Sequence, residues 1–181
     1  MKRLCIFCGS SLGNDSRYRD LATACGRLLA ERGIGLVYGG GCVGLMGVLA
    51  DTVLAVGGEV VGVIPQALWD REVGHGGLSE LHVVGSMHQR KALMADLSDA
   101  FLALPGGIGT MDELFEIWTW RQLGIHAKPV GLLNLDGFFS PLVAFLDHMT
   151  RQGFLHSATR DLLLTREDPA ELLDRLLPLS S

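Results

Sequence analysis

The stretch Phe101-Leu102-Ala103-Leu104-Pro105-Gly106-Gly107-Ile108-Gly109-Thr110-Met111-Asp112-Glu113 joins a strand, a glycine turn and a helix in one unit. Four consecutive apolar residues stopped by proline read as a strand buried on both faces. A glycine-rich turn follows, and an apolar pattern of helical period predicts a helix over residues 110–123. The same unit recurs in both directions along the chain. Apolar runs at 4–8, 35–38, 60–64, 81–84 and 129–134 read as strands. Residues 16–32, 45–56, 86–97, 140–151 and 169–177 read as helices. Strands that are apolar on both faces and alternate with helices predict an α/β fold, a mostly parallel sheet with helices on both faces. Residues 1–181 are expected to form a single domain. The longest irregular stretch is 66–79, a length typical of binding loops.

In an open parallel sheet the ligand sits beyond the carboxyl ends of the strands. Three of those ends carry small or glycine-rich turns: Gly9-Ser10-Ser11, Gly39-Gly40-Gly41-Cys42-Val43-Gly44, and Pro105 to Thr110. A glycine loop ahead of a helix lets backbone N–H groups approach an anion, and the helix dipole adds to the attraction. The alternative is that these glycines simply make tight turns. Gly39, Gly41 and Gly44 match GxGxxG, but no acidic residue ends the next strand, and Glu59 lies at its other end. That favours a mononucleotide over a dinucleotide. No Walker lysine follows the loops and no GxSxG elbow occurs.

The net charge of −5, from 15 Lys and Arg against 20 Asp and Glu, argues against a nucleic-acid partner. No apolar run is long enough to span a bilayer, and the apolar start is too short for a signal peptide, so the chain reads as cytoplasmic. Cys5 and Cys8 have CxxC spacing but fall in a strand, on opposite faces, and read as inert buried thiols. The histidines show no metal-ligand spacing.

Arg90 lies within the apolar stripe Met87, Leu93, Met94 of the 86–97 helix. A guanidinium there either has an anionic partner, phosphate or carboxylate, or snorkels to water from the stripe edge. Lys91 is a second electrostatic contact or a solvated residue. Thr110-Met111-Asp112-Glu113 fits a T-x-x-E capping box, which would give Glu113 a structural role. The functional alternative has Glu113 as an anion that stabilises a ribosyl cation, with its pKa held low by the helix dipole.

Pro105 to Glu113 resembles the PGGxGTxxE signature of the Lonely Guy (LOG) family, cytokinin riboside 5′-monophosphate phosphoribohydrolases that have in part been labelled lysine decarboxylases. Met87-His88-Gln89-Arg90-Lys91 resembles that family's second motif. Cys8 to Ser11, the 37–47 stretch, and residues 119–134 are similar as well. The resemblance implies a modified Rossmann fold, a homodimer, and no metal or redox cofactor. It implies hydrolysis of the N-glycosidic bond of (N6-modified) adenosine 5′-monophosphates to free base and ribose 5-phosphate. By matched motif, Arg90 and Glu113 are the catalytic pair. The substrate-binding set is Ser10, Gly41, Glu72, Met87, Arg90, Lys91, Gly107, Ile108, Gly109, Thr110, Met111, Asp112, Glu113 and Thr119. The aromatic run Phe115 to Trp120 could serve a dimer interface or the core. Ile108 replaces a frequent tyrosine of the family, and Trp69-Asp70-Arg71 departs from its commoner loop residues.

Three other readings compete: a non-catalytic nucleotide or molybdenum-cofactor carrier on the same fold, a nicotinamide-dependent oxidoreductase, and a pyridoxal-phosphate decarboxylase. The last would need a Schiff-base lysine from among Lys2, Lys91 and Lys128.

Overall fold

Seven short strands form one all-parallel sheet in a computed structural model that describes residues 1–71 and 74–178. They are β1 (Arg3–Phe7), β2 (Gly35–Tyr38), β3 (Val60–Pro65), β4 (Glu80–Val84), β5 (Ala100–Ala103), β6 (Val130–Leu133) and β7 (Leu163–Arg166). The helices are α1 (Ser16–Glu31), α2 (Gly44–Ala55), α3 (Gln66–Trp69), α4 (Met87–Asp96), α5 (Ile108–Gln122), α6 (Ser140–Arg151), α7 (Ser157–Asp161) and α8 (Pro169–Leu176). The strand order is β4-β3-β2-β1-β5-β6-β7. The chain therefore builds outward from β1 to β4, returns to the other side of β1, and builds outward again. That reversal puts a topological switch point between the carboxyl ends of β1 and β5.

The period-2 alternation of β1 divides the core in two. Leu4, Ile6 and Cys8 pack with Leu21 and Leu29 of α1, Leu49 of α2 and Leu172 of α8. Cys5 and Phe7 pack on the opposite face with Met94 of α4, Leu114 and Trp118 of α5, and Leu146 of α6. Cys5 and Cys8 thus point to opposite faces and are free, buried thiols. Burial pushes both well above the usual thiol pKa, so neither is a nucleophile at neutral pH. Phe115, Trp118 and Trp120 belong to the second core, which withdraws the support the aromatic run offered to a dimer interface. Glu59, just before β3, is paired with Arg3 at 2.9 Å at the amino end of the sheet, away from the loops.

β7, α3, α7 and a 3-10 turn at Leu135–Gly137 lie outside the sequence expectation. β7 is a four-residue edge strand, Leu163-Leu164-Thr165-Arg166, paired to β6 through Val130 opposite Leu163. The apolar run Leu162-Leu163-Leu164 is only three residues long and is followed by polar Thr165 and Arg166, too short to read as a buried strand. α3 and α7 are single turns too short for periodicity to reveal. No described helix is long and apolar enough to cross a membrane.

Candidate active site

The charged candidate side chains of the described residues are placed by α4 and α5, helices that follow the carboxyl ends of β4 and β5. α4 begins at Ser86, whose Oγ accepts from the N–H of Gln89 at 3.2 Å, while Gln89 Oε1 accepts from the N–H of Gly85 at 2.8 Å. This reciprocal S-x-x-Q cap fixes the first turn, so Arg90 and Lys91 face inward one turn later. α5 begins two residues earlier than expected, with Gly107 at its N-cap and no side-chain cap. The T-x-x-E capping box is therefore not formed. Thr110 is the third helical residue, 4 % exposed, and Glu113 sits in the second turn and is released from any capping role.

Glu113 instead meets Arg90, whose Nη2 lies 3.5 Å from Glu113 Oε1 in a pair that is about nine-tenths buried. The anionic partner expected for Arg90 is thus the Glu113 carboxylate within the protein itself. Arg90 Nη2 also donates to the Gly39 carbonyl oxygen at 3.2 Å, and Nη1 approaches Met87 Sδ at 3.8 Å. A Cβ built on Gly39 would overlap the guanidinium, so only glycine admits Arg90 there. The Gly39-Gly40-Gly41 run is then a seat for an arginine. Gly39 gives room and its carbonyl, Gly40 turns the chain at φ 72°, and Gly41 bridges to Gly74.

Burial drives the Glu113 carboxyl above the ordinary glutamate range, and the nearby Arg90 charge only partly offsets it. This reverses the sequence expectation of a depressed value. In the second turn the dipole is weak, and desolvation dominates. Lys91 is neither solvated nor free: its Nζ lies 3.0 Å from Asp112 Oδ2 and 2.5 Å from Glu116 Oε2. Burial pulls its pKa down, but hydrogen bonds to Glu116 and Asp112 outweigh that and hold it above the usual lysine value. A lysine so held is charged, and ill suited to Schiff-base chemistry. Glu116 is absent from the sequence-derived set. Its position four residues beyond Asp112 on one helix face was the available signal.

At the switch point a cleft of about 220 Å³ opens between Gly9 to Gly13 and Pro105 to Gly107, walled also by Tyr18, Leu45 and Phe138. Ser10 lines it. Arg90 and Glu113 do not; they lie toward the face of α4 and α5. The turn before α5 is common to both, with Gly106 and Gly107 in the cleft wall and Thr110 and Glu113 following in the helix. At this helix start the N–H groups of Ile108, Gly109 and Thr110 have no intrahelical acceptor. Ile108 is 89 % exposed, and a Cβ added at Gly107 or Gly109 would point into open space.

The structure thus brings together Ser10, Gly41, Met87, Arg90, Lys91, Gly107, Ile108, Gly109, Thr110, Asp112 and Glu113 around the ends of β1, β2 and β5. Met111 packs against the core instead. Thr119 is exposed, about 9 Å along α5 from Glu113, and apart from this cluster. Glu72 lies outside the described residues. Among the described residues, no group of three or more His, Cys, Asp or Glu side chains could hold a metal ion.

Residues 46–176 match the family described as "Possible lysine decarboxylase". The chain is 51 % identical, over 96 % of its length and 78 % of the relative's, to a probable cytokinin riboside 5′-monophosphate phosphoribohydrolase of Oryza sativa subsp. japonica. It is 49 % identical, over 97 % of its length and 82 % of the relative's, to a cytokinin riboside 5′-monophosphate phosphoribohydrolase of Arabidopsis thaliana. Among solved structures, a molybdenum cofactor carrier protein from Chlamydomonas reinhardtii superposes with a TM-score of 0.73 over 98 % of this chain and 99 % of that one. At 21 % identity that likeness is one of fold alone. With half its residues shared with these enzymes along nearly its whole length, the chain belongs to the LOG family.

Proposed function

We propose that this protein hydrolyses the N-glycosidic bond of adenosine 5′-monophosphates, N6-modified as in cytokinin riboside 5′-monophosphate or plain as in AMP, and releases the free base and ribose 5-phosphate. The observation that carries the site assignment is the buried Arg90–Glu113 pair one turn beyond the open start of α5. Backbone N–H groups of Gly107, Gly109 and Thr110, with the Thr110 hydroxyl, hold the 5′-phosphate at the helix N-terminus. Ser10, Gly41, Met87 and Ile108 border the nucleotide. Lys91 and Asp112 set the charge around it.

The phosphate fixes the ribose so that its anomeric carbon faces Glu113. A water oxygen bonds to that carbon as the C–N bond breaks and its electron pair passes to the base nitrogen. Glu113, its proton affinity raised by burial, accepts the proton from water, and its charge stabilises the ribosyl cation character of the transition state. Arg90 keeps its proton and offsets the negative charge that builds on the leaving base. The proton taken from water leaves with the base.

Binding energy from the remote phosphate is spent on this alignment. The nucleoside without phosphate is therefore expected to react at least about 100-fold more slowly in kcat/KM, a loss of about 2.7 kcal/mol of transition-state binding. Chromatography of free base from AMP, isopentenyladenosine monophosphate and the two nucleosides measures this. Equal rates with and without phosphate would overturn the placement of the phosphate at α5.

We further propose that the protein acts as a homodimer in the cytoplasm and binds no nucleic acid. The family resemblance, the acidic composition, and the exposed Leu123 and Ile125 beyond α5 support this. Sedimentation showing only monomer at micromolar concentration contradicts the dimer.

A further inference from the structure

The glycine turn that seats Arg90 is itself held from outside. The N–H of His75 donates to the Gly40 carbonyl oxygen at 2.9 Å, and Gly74 forms an isolated antiparallel bridge with Gly41 outside the strands of the sheet. Gly74 has no room for a side chain, because a Cβ there would overlap the Trp69 ring. The His75 imidazole is fixed at both nitrogens. Nδ1 accepts from the N–H of Gly77 at 3.1 Å, which leaves the proton of the neutral ring on Nε2, and Nε2 lies 2.9 Å from Asp51 Oδ1 on α2. The ring is 13 % exposed, whereas Asp51 is 72 % exposed.

A continuous set of direct contacts therefore runs from Asp51 to His75, from the His75 backbone to Gly40, through the peptide to Gly39, and from Gly39 to Arg90 and Glu113. We propose that His75, locked by Asp51, is a positioning residue for the reaction: it holds the 39–41 turn in the one place where the Gly39 carbonyl can orient the Arg90 guanidinium. The inference rests on the assignment of Arg90 to the reaction site. A guanidinium has five donors in a fixed fork, so a shift of its seat by a fraction of an ångström misdirects all of them together. The sequence around His75 has no motif that announces this role. It depends on the loop returning to the glycine turn.

The test uses the full chain with AMP as substrate and compares His75→Ala, His75→Gln and Asp51→Ala, each alone and the first also in an Arg90→Ala background. His75→Ala and Asp51→Ala are expected to lower kcat about tenfold, within the range of coupling between residues of one network, with KM changed by less than about threefold. His75→Gln, which keeps a donor near the Nε2 position, restores kcat to within about twofold of wild type. In the Arg90→Ala background His75→Ala causes no further loss, because no guanidinium is left to orient. Unchanged kcat in Asp51→Ala and His75→Ala, or a tenfold loss that persists without Arg90, would overturn the proposal. Should His75→Ala fail to fold, Asp51→Ala on the exposed helix surface decides alone. Full turnover by Arg90→Ala contradicts the assignment of Arg90 itself. Loss of turnover in Arg90→Ala with wild-type kcat in the His75 and Asp51 variants contradicts only the role of His75.

Discussion

Glu113→Gln is expected to lower base release by about 10²- to 10³-fold while nucleotide still binds, because the amide keeps the shape and loses both the charge and the proton acceptor. Equilibrium binding of AMP alongside single-turnover base release separates the two effects. The pH dependence carries the same signature. The Glu113 carboxyl is raised above the ordinary glutamate value of 4.5 by burial, so the acid limb of kcat/KM is expected above that value and to vanish in the residual activity of Glu113→Gln. Stability follows the opposite sign. Well below 4.5 both folded and unfolded chains hold the proton. Above it the unfolded chain releases the proton first, so folding loses stability until the pH exceeds the folded pKa. The unfolding free energy of wild type minus that of Glu113→Gln should therefore fall with rising pH through this window. A difference that rises instead contradicts a raised pKa.

Arg90→Ala is expected to lower base release by at least about 100-fold, of the order seen when one preorganised electrostatic donor is removed. The cation that opposes the effect of burial on Glu113 goes with it, so the acid limb moves further up in pH. Gly39→Ala reaches the same end without touching a charge. Its methyl group occupies the space of the guanidinium and forces Arg90 off its seat, and a loss in kcat of about tenfold or more is expected. Wild-type kcat in Gly39→Ala would show that the seat is dispensable.

Much of the fold was legible because the apolar runs at β1, β2, β3, β5 and β6 are buried on both faces and uninterrupted. β7 escaped because edge pairing to β6, not its own pattern, makes Leu163 to Arg166 a strand. The charged candidates Arg90, Lys91, Asp112 and Glu113 were legible one by one, and their contacts with one another were not. Thr110 and Glu113 satisfy a capping spacing that the helix does not use, since its N-cap is Gly107 and both residues sit three positions further into the helix. The real cap is Ser86 with Gln89, which fits the same kind of pattern. Dipole reasoning gave the wrong direction for Glu113 because burial is a tertiary property that no local window contains. For the same reason Lys91 could not be resolved from sequence: its partners Asp112 and Glu116 stand on a helix more than twenty residues away. The glycines of 39–44 read as room for an anion or as tight turns, and at Gly39 the group that takes the room is an arginine of the protein itself.

Hydrolysis is tested by incubating wild-type protein with isopentenyladenosine monophosphate and with AMP and quantifying free base and ribose 5-phosphate together. Equal amounts of base and ribose 5-phosphate, produced over many turnovers and lowered at least about 100-fold in Glu113→Gln, are expected. Nucleotide that binds and is recovered intact would contradict it and point to a carrier on this fold.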